Sequence, residues 1–430
     1  MREMKDSGVE WIGEIPVEWN CSKIKHHFKI GSGTTPKSDI PSYWDGDIVW
    51  ITPADFKTDD VYVSEGHRNL TQEGFESSTL EIIPAGNIIF SKRAPIGQVV
   101  INSVDLCTNQ GCLTAVPLDK SNVKYYRYAM SVATSQFELA GSGTTFKEIS
   151  ATAFGNFILP SPNVSEQKKI TEYLDRKCSS IDSVIMKQQV IIEKLKEYKL
   201  STITEATTQG IRESTLYKDS NIKWLNRIPA NWDVSSLGKI STSIRNGYVG
   251  PTRDIFVEEG GIPYIQSLHV KDGKINLQNN EYNVSEEWGK KHPKVSEGQL
   301  LIVQTGDIGQ VGLVSKEMEG YNCHALIITS LDKKYVIPEF VMYYLRGSIG
   351  KELMLDTRTG ALLPHLNSGK IKNTPVVIPP IQEQSEIVDF LNLKCVLIDK
   401  AILHKIEIID KLEAYKKSLI YEMVTGKREV

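Results

Sequence analysis

Residues 166–206 read "EQKKITEYLDRKCSSIDSVIMKQQVIIEKLKEYKLSTITEA", and residues 383–423 read "EQSEIVDFLNLKCVLIDKAILHKIEIIDKLEAYKKSLIYEM". The two stretches align without a gap at a constant offset of 217. Identical pairs include Glu166/Glu383, Gln167/Gln384, Ile170/Ile387, Leu174/Leu391, Cys178/Cys395, Ile181/Ile398 and Asp182/Asp399. They continue through Ile191/Ile408, Leu195/Leu412, Tyr198/Tyr415, Ser201/Ser418 and Ile203/Ile420. From Glu166 to about Thr207, and from Gln382 to about Val424, there is neither Gly nor Pro. Apolar residues recur in heptads, so each stretch is expected to be a helix of roughly forty residues, or roughly 60 Å at 1.5 Å per residue. A helix that long leaves its apolar stripe wet unless it packs against a partner. With Ile181 taken as position a, the expected seam is Ile181, Gln188, Leu195 and Thr202 with Val184, Ile191, Tyr198 and Glu205 at d. The second seam is Ile398, Lys405, Leu412 and Leu419 with Ala401, Ile408, Tyr415 and Glu422. Polar Gln188 and Lys405 interrupt it at equivalent places, and such residues fix register at a cost in stability.

The repeat extends beyond the helices. "KDSGVEWIGEIPVEW" at 5–19 returns as "KDSNIKWLNRIPANW" at 218–232, "IGQV" occurs at 96–99 and 308–311, and "IVWI" at 48–51 echoes "IPYI" at 262–265. A period of half the chain marks a duplicated module rather than a solenoid. Each copy has a body, about 20–160 and 233–378, with short apolar runs bounded by turn formers. These read as strands of a mixed α+β domain. "VKYYRYAMSVATSQF" and "PEFVMYYLRGSIGKELM" read as one late helix in each body. The first long helix hands the chain to the second body through a short linker, which forbids a parallel pairing. The expected arrangement is therefore antiparallel and pseudo-twofold, with Val430 close to Met1. Trp11 is expected near the end of the second helix and Trp224 near the end of the first, with Trp19 and Trp232, as buried anchors. Two readers held a fixed distance apart about a pseudo-dyad suit a split, asymmetric DNA target with an unread gap.

Composition sets limits. The 430 residues are 40% hydrophobic and 24% charged, enough for two to four compact domains. No signal peptide and no membrane span are legible, so a cytoplasmic protein is expected. The cysteines at 21, 107, 112, 178, 323 and 395 form no CxxC, and reduced buried thiols are expected rather than a metal site. The net charge of −3 runs against duplex binding unless cations gather on one face or a partner supplies them.

On these residues the chain resembles the specificity subunit of a Type I restriction–modification enzyme. "KDSGVEWIGEIPVEW" is similar to that family's N-terminal signature. "GSGTTFKEIS…FILPSPNVSEQKKITEYL" and "RTGALLPHLN…VVIPPIQEQSEIVDFL" are similar to its repeated Pro…EQ…I…L boundary. Pro160, Glu166, Gln167, Ile170 and Leu174 carry the first boundary; Pro379, Glu383, Gln384, Ile387 and Leu391 carry the second. The resemblance covers the whole chain. It implies an α+β fold with two pseudo-twofold-related mixed α/β target-recognition domains separated by an antiparallel coiled coil of two long helices. The expected divisions are 1–165 and 211–380 for the recognition domains, and 166–210 and 381–430 for the spacer helices. It implies double-stranded DNA, two methyltransferase (modification) subunits and restriction/translocase subunits as partners. S-adenosylmethionine, ATP and Mg²⁺ are expected in those partners and none in this chain. Two departures are visible. The linker from Pro160 to Glu166 is two residues longer than that from Pro379 to Glu383, and Asn109-Gln110 becomes Asn322-Cys323.

No catalytic constellation is present. "IPPI" is not the motif of an amino-methyltransferase, and no HExxH occurs. "EYK" at 197–199 has nuclease-like letters but lies in the seam. "GSGTT" at 31–35 and 141–145 lacks the Gly-Lys-Ser/Thr of a P-loop, and turn chemistry explains it, with a DNA-phosphate role left open by Lys37 and Lys147. Base readout favours Arg, Lys, Gln and Asn on loops, while phosphate contacts use Lys, Arg, Ser and Thr. The candidates are Lys37, Lys92, Arg93, Gln98 and Lys147 in the first body, and Arg245, Arg253, His269, Lys271, Gln304 and Arg358 in the second. The expected function is a non-catalytic, sequence-specific DNA-binding subunit directing methylation and restriction. The competing reading is a coiled-coil scaffold with two protein-binding domains, which a gel-shift with genomic DNA separates from it.

Overall fold

The computed structural model describes residues 2–56, 61–143, 147–212, 216–278, 282–360 and 364–430. The chain divides into two compact units, Met1–Gln188 with Glu407–Val430, and Gln189–Ile406.

Both units are built on one plan. In unit 1 a five-stranded sheet runs in the order Phe28–Ser32, Cys112–Pro117, Ile88–Ser91, Val99–Asn102, Tyr62–Val63. All its pairings are antiparallel except the last. In unit 2 the four-stranded counterpart is Ser241–Asn246, Leu326–Leu331, Leu300–Val303, Val311–Leu313, wholly antiparallel. A two-stranded ribbon ties the start of each body to its end: Asn20–Lys23 pairs with Ile158–Ser161, and Asp233–Ser236 with Pro375–Ile378. A short parallel pair joins Trp50-Ile51 to Cys107-Thr108, and Tyr264-Ile265 to Asn322-Cys323. The late helical segment of each body is two helices, not one: Val123–Ser131 and Thr134–Ala140 in unit 1, Pro338–Arg346 and Ser348–Leu355 in unit 2.

The ribbon register removes one apparent departure. Pro160 lies opposite Cys21 while Val377 lies opposite Val234, the repeat partner of Cys21. Pro162, not Pro160, is therefore the counterpart of Pro379, and the two linkers have equal length.

The long helices span Val164–Gln209 and Ile381–Val424. Asn163 caps the first, its Oδ1 accepting the Glu166 N–H at 3.0 Å. Gln167 and Gln384 are buried clamps. Gln167 accepts the Asn122 N–H and donates to the Pro162 carbonyl, both at 2.9 Å. Gln384 accepts the Ile337 N–H and donates to the carbonyls of Pro379 and Tyr335. Each thus ties the first turn of a long helix to its body and satisfies an otherwise orphaned N–H. Each helix is followed by a glycine in the left-handed region, Gly210 (φ 88°) and Gly426 (φ 71°), where a side chain would be strained. Trp232 packs at the first and Trp19 at the second.

Within each unit the two helices run antiparallel. In unit 1 the Tyr125 hydroxyl donates to the carbonyls of Pro160 and Val424, so the end of the second helix meets the start of the first. Lys416 pairs with Asp182 at 2.6 Å there. In unit 2 Lys199 pairs with Asp399 at 2.7 Å, and Gly210 lies by Glu383. The repeat exchanges the two ion pairs, since Asp182 corresponds to Asp399 and Lys199 to Lys416.

The seam differs from the expected heptad. Ile181 and Ile398 are buried, and Leu195, Leu412, Ala401 and Ile408 are half-buried. Val184, Ile191, Tyr198 and Tyr415 are exposed, Tyr198 at 55%. On the first helix the inward stripe is Cys178, Ile181, Ile185, Gln188, Ile192 and Leu195. Ile181 is thus a d residue whose next neighbour inward lies four residues on, not three. The carbonyl oxygen of the Gln188 side chain is buried with no hydrogen-bond partner among the described residues.

The repeated opening segment closes each core. In unit 1 Ile12, Ile15 and Trp19 pack with Ile170, Leu174 and Cys178 of the first helix and Leu419, Ile420 and Met423 of the second. In unit 2 Leu225, Ile228 and Trp232 pack with Ile203 and Ala206 of the first and Ile387 and Leu391 of the second. Trp11 lies at the expected helix end: its carbonyl accepts from the Tyr421 hydroxyl at 3.1 Å. Lys427 Nζ donates to the Ile12 carbonyl at 2.8 Å. Met1, expected beside Val430, is outside the described residues. Trp224 is not a buried anchor. It sits at a hairpin tip with φ 66°, 48% exposed, under the Lys223 ammonium, while Ile222 and Leu225 enter the core.

Candidate nucleic-acid interface

Four loops meet on one face of unit 1. The loop after Phe28–Ser32 is pinned where Thr34 N–H donates to the Thr108 carbonyl at 3.0 Å. Gly33 is required there, because a Cβ would lie 1.8 Å from that same oxygen. The first "GSGTT" is therefore the end of a strand running into a close-packed loop, not a turn. In the second copy, Thr144 and Thr145 are outside the described residues. The Thr35 hydroxyl bonds the Gln110 side chain. The hairpin tip 91–97 joins this loop through Lys92 N–H to the Gly111 carbonyl at 3.0 Å. The fourth loop, described at 141–143 and 147–149, is pinned by Ile149 N–H to the Lys92 carbonyl at 3.1 Å and by two backbone bonds between Ser142 and Glu148.

Unit 2 repeats this frame with other side chains. Gly247 N–H donates to the Leu326 carbonyl and Tyr248 N–H to that of Cys323. Leu366 N–H donates to the Gln304 carbonyl at 3.0 Å, and Thr359 and His365 make the same double backbone bond as Ser142 and Glu148. Gln304 thus stands where unit 1 has Lys92, and His365 where it has Glu148. Asn109 N–H donates to the Ile51 carbonyl, and His324 N–H donates to Ile265. The counterpart of Asn109 is therefore His324, not Asn322. Asn322 is buried, its amide donating to the carbonyls of Gly289 and Pro293. Burial pushes the Cys323 thiol up to about 12 and holds His324 below its ordinary value. At neutral pH this loop therefore presents uncharged groups. Beside it Tyr248, Trp288, His292 and His324 make an aromatic cluster, with Trp288 and His292 stacked at 3.7 Å.

The expected readers divide accordingly. Lys37, Lys92, Arg93 and Lys147 lie on the unit 1 loops, and Gln304 and Arg358 on those of unit 2. Lys37 and Lys147 are exposed. Lys92 is only 14% exposed and its ammonium is bound to Glu148 at 2.8 Å, so its charge is not presented freely. Arg93 reaches the other oxygen of Glu148 at 3.7 Å. Gln98 sits at the base of its hairpin, bonded through its backbone to Ser91, with its side-chain oxygen buried. Arg245 is exposed beside the unit 2 face and donates to the Lys294 carbonyl at 2.8 Å. Arg253 is exposed in the loop that follows. His269 is a correction. It is buried, its Nδ1 accepting the Gln266 N–H at 2.9 Å in a capping turn, and it serves packing. Lys271 lies in a different place, lining a cleft of about 570 Å³ with Lys199 and Asp399. Glu148, Tyr248, His324 and His365 are not among the candidates read from sequence, and Gln110 enters there only as a departure between the copies; an alignment of 141–149 with 358–366 is the signal that exposes Glu148 and His365. Among the described residues no group of three metal-ligating side chains occurs, and no helix is long and apolar enough to cross a membrane.

A duplicated α/β body, clamped by a buried glutamine to an antiparallel helix pair and varying at its loops, defines a class. The chain belongs to the Type I restriction modification DNA specificity domain family, whose model matches residues 16–194 and 229–414. It is 30% identical over 430 residues to the Type I restriction enzyme MjaIX specificity subunit of Methanocaldococcus jannaschii, covering 97% of this chain and 95% of that one. It is 27% identical over 292 residues to the EcoBI specificity subunit of Escherichia coli, covering 66% of this chain and 61% of that one. A chain in a solved type I R-M system matches its fold with a TM-score of 0.73 at 13% identity, over 96% of this chain and 99% of the other. The HsdS subunit from Thermoanaerobacter tengcongensis matches with a TM-score of 0.52 at 13% identity, over 96% and 98%.

Proposed function

We propose that this chain is the non-catalytic, sequence-specific DNA-binding subunit of a restriction–modification complex, each loop face reading one half of a bipartite, asymmetric target. The observation that carries the reading is the pair of loop faces, which share a set of backbone hydrogen bonds and differ in side chains. Equal frames give equivalent docking; Lys92 against Gln304, and Asn109 against His324, give different half-sites. Lys37 and Lys147 stand exposed on the unit 1 loops and supply cations there despite the negative net charge.

Methyl transfer and cleavage then fall to partners, two methyltransferase subunits and restriction/translocase subunits, working with S-adenosylmethionine, ATP and Mg²⁺ in the cytoplasm. Exposed apolar side chains on the long helices, among them Met186, Val190, Leu393 and Leu403, support partner docking there. The test is a genome-wide map of methylated bases in a host carrying this chain and its methyltransferase. A motif in two unlike halves around a fixed unread gap is the expected result. A continuous motif, or none that depends on this chain, would overturn the proposal.

A further inference from the structure

Glu148 is an acid paired with two cations of the unit 1 loop face. One carboxylate oxygen is 2.8 Å from Lys92 Nζ and the other 3.7 Å from Arg93. Its backbone is anchored beside the hairpin: two main-chain hydrogen bonds join it to Ser142, and the Ile149 N–H donates to the Lys92 carbonyl. The repeat supplies the contrast. On the same frame in unit 2, His365 and Gln304 stand in these places, and the His365 ring shares a hydrogen bond with the Thr359 hydroxyl at 3.1 Å. The acid–base pair is thus a feature of one loop face and not of the scaffold.

We infer that Glu148 sets the specificity of the unit 1 reader by holding Lys92 and Arg93 away from DNA until a matching half-site replaces its carboxylate. The inference rests on the DNA-reading role proposed above for this face. Random duplex attracts a cation by charge alone, and that attraction is what a carboxylate at 2.8 Å cancels. Lys92 is largely shielded from water, so its ammonium gives up Glu148 readily only where a new acceptor takes over. A matching sequence offers them, as a purine edge with two acceptors or a phosphate in register. A mismatched sequence leaves a cation, or Glu148 itself, unpaired at the interface.

The test uses the full chain assembled with its methyltransferase partners, with Glu148→Gln as the variant and random-sequence duplex as the probe. Affinity is titrated against salt. Each freed cation should steepen the log–log salt slope by about 0.9, which is roughly an eightfold tighter grip on random duplex at 0.1 M salt. In the methylation map, the half-site read by unit 1 should relax while the other stays unchanged, which also reports that the variant is folded. Glu148→Ser should behave alike. An unchanged slope with unrelaxed half-sites in both variants would overturn the role of Glu148. The joint variant Lys92→Gln, Arg93→Gln separates this from failure of the underlying reading. If it leaves both DNA affinity and the unit 1 half-site as they were, this face does not read DNA at all.

Discussion

In each unit, the part that meets the long helices and the part that carries the loops have drifted apart to very different degrees. At the helix ends the copies share their main contacts: Gln167 and Gln384 clamp the equivalent carbonyl, Trp19 and Trp232 pack on Gly426 and Gly210, and two exchanged Lys–Asp pairs cross the helices. At the loops the backbone bonds persist while the side chains change, Lys92 to Gln304, Glu148 to His365, Asn109 to His324. The lesson is a division of labour by hydrogen-bond type. Backbone bonds hold the loops in place whatever side chains they carry, so the reading surface is free to vary. The clamps use side chains, and varying them would unseat the body.

The contrast can be pressed hardest through the helices. Four residues inserted after Gln188 add about one turn and roughly 6 Å of rise. The unread gap in the methylated motif is then expected to grow by one or two base pairs at about 3.4 Å each, with both half-sites retained. A changed half-site with an unchanged gap would show that the helices do not set the spacing.

The tryptophans come next. Trp19→Ala and Trp232→Ala each empty a fully buried site and are expected to cost about 3–5 kcal/mol in denaturant unfolding. Phenylalanine separates the copies. Trp19 Nε1 donates to Glu166 at 2.8 Å, whereas Trp232 Nε1 has no partner among the described residues. Trp19→Phe should therefore cost about 1.5–3 kcal/mol more than Trp232→Phe, the worth of a bond to a carboxylate. Equal losses would mean that the Glu166 bond contributes nothing.

The smallest expected difference lies in the clamps. Gln384→Met strands one N–H and two carbonyls, Gln167→Met one N–H and one carbonyl. The first should be the costlier by about 0.5–1.5 kcal/mol, one hydrogen bond's worth, in the same unfolding measurement. The reverse order would break the equivalence of the two clamps.

Much of the frame was legible because it is written twice. The helices, their pairing and the docking of Trp11 and Trp19 follow from residue identities at a constant offset. The seam was misplaced because the stripe alternates steps of three and four, and Ile181 fits either phase until the flanking Cys178 and Ile185 are seen to be inward. Trp224 escaped because its place in the repeat says nothing of the positive φ that turns it outward. The loop faces were less legible still. Lys92, Arg93 and Lys147 were within reach as cations near turns, but the acid that neutralises Lys92 lies on another loop of the same face, and only folding brings it there. His269 looks like any loop histidine until its ring is found accepting a backbone N–H.

One consequence concerns the order in which the molecule is made. The core of unit 1 is incomplete without Leu419, Ile420, Met423 and Val424, and between its two segments the ribosome must produce the whole of Gln189–Ile406. At 5–20 residues per second those 218 residues take roughly 10–40 s. The unit begun first is thus the one finished last, and through that interval Trp19, Ile170 and Leu174 wait with part of their apolar surface uncovered.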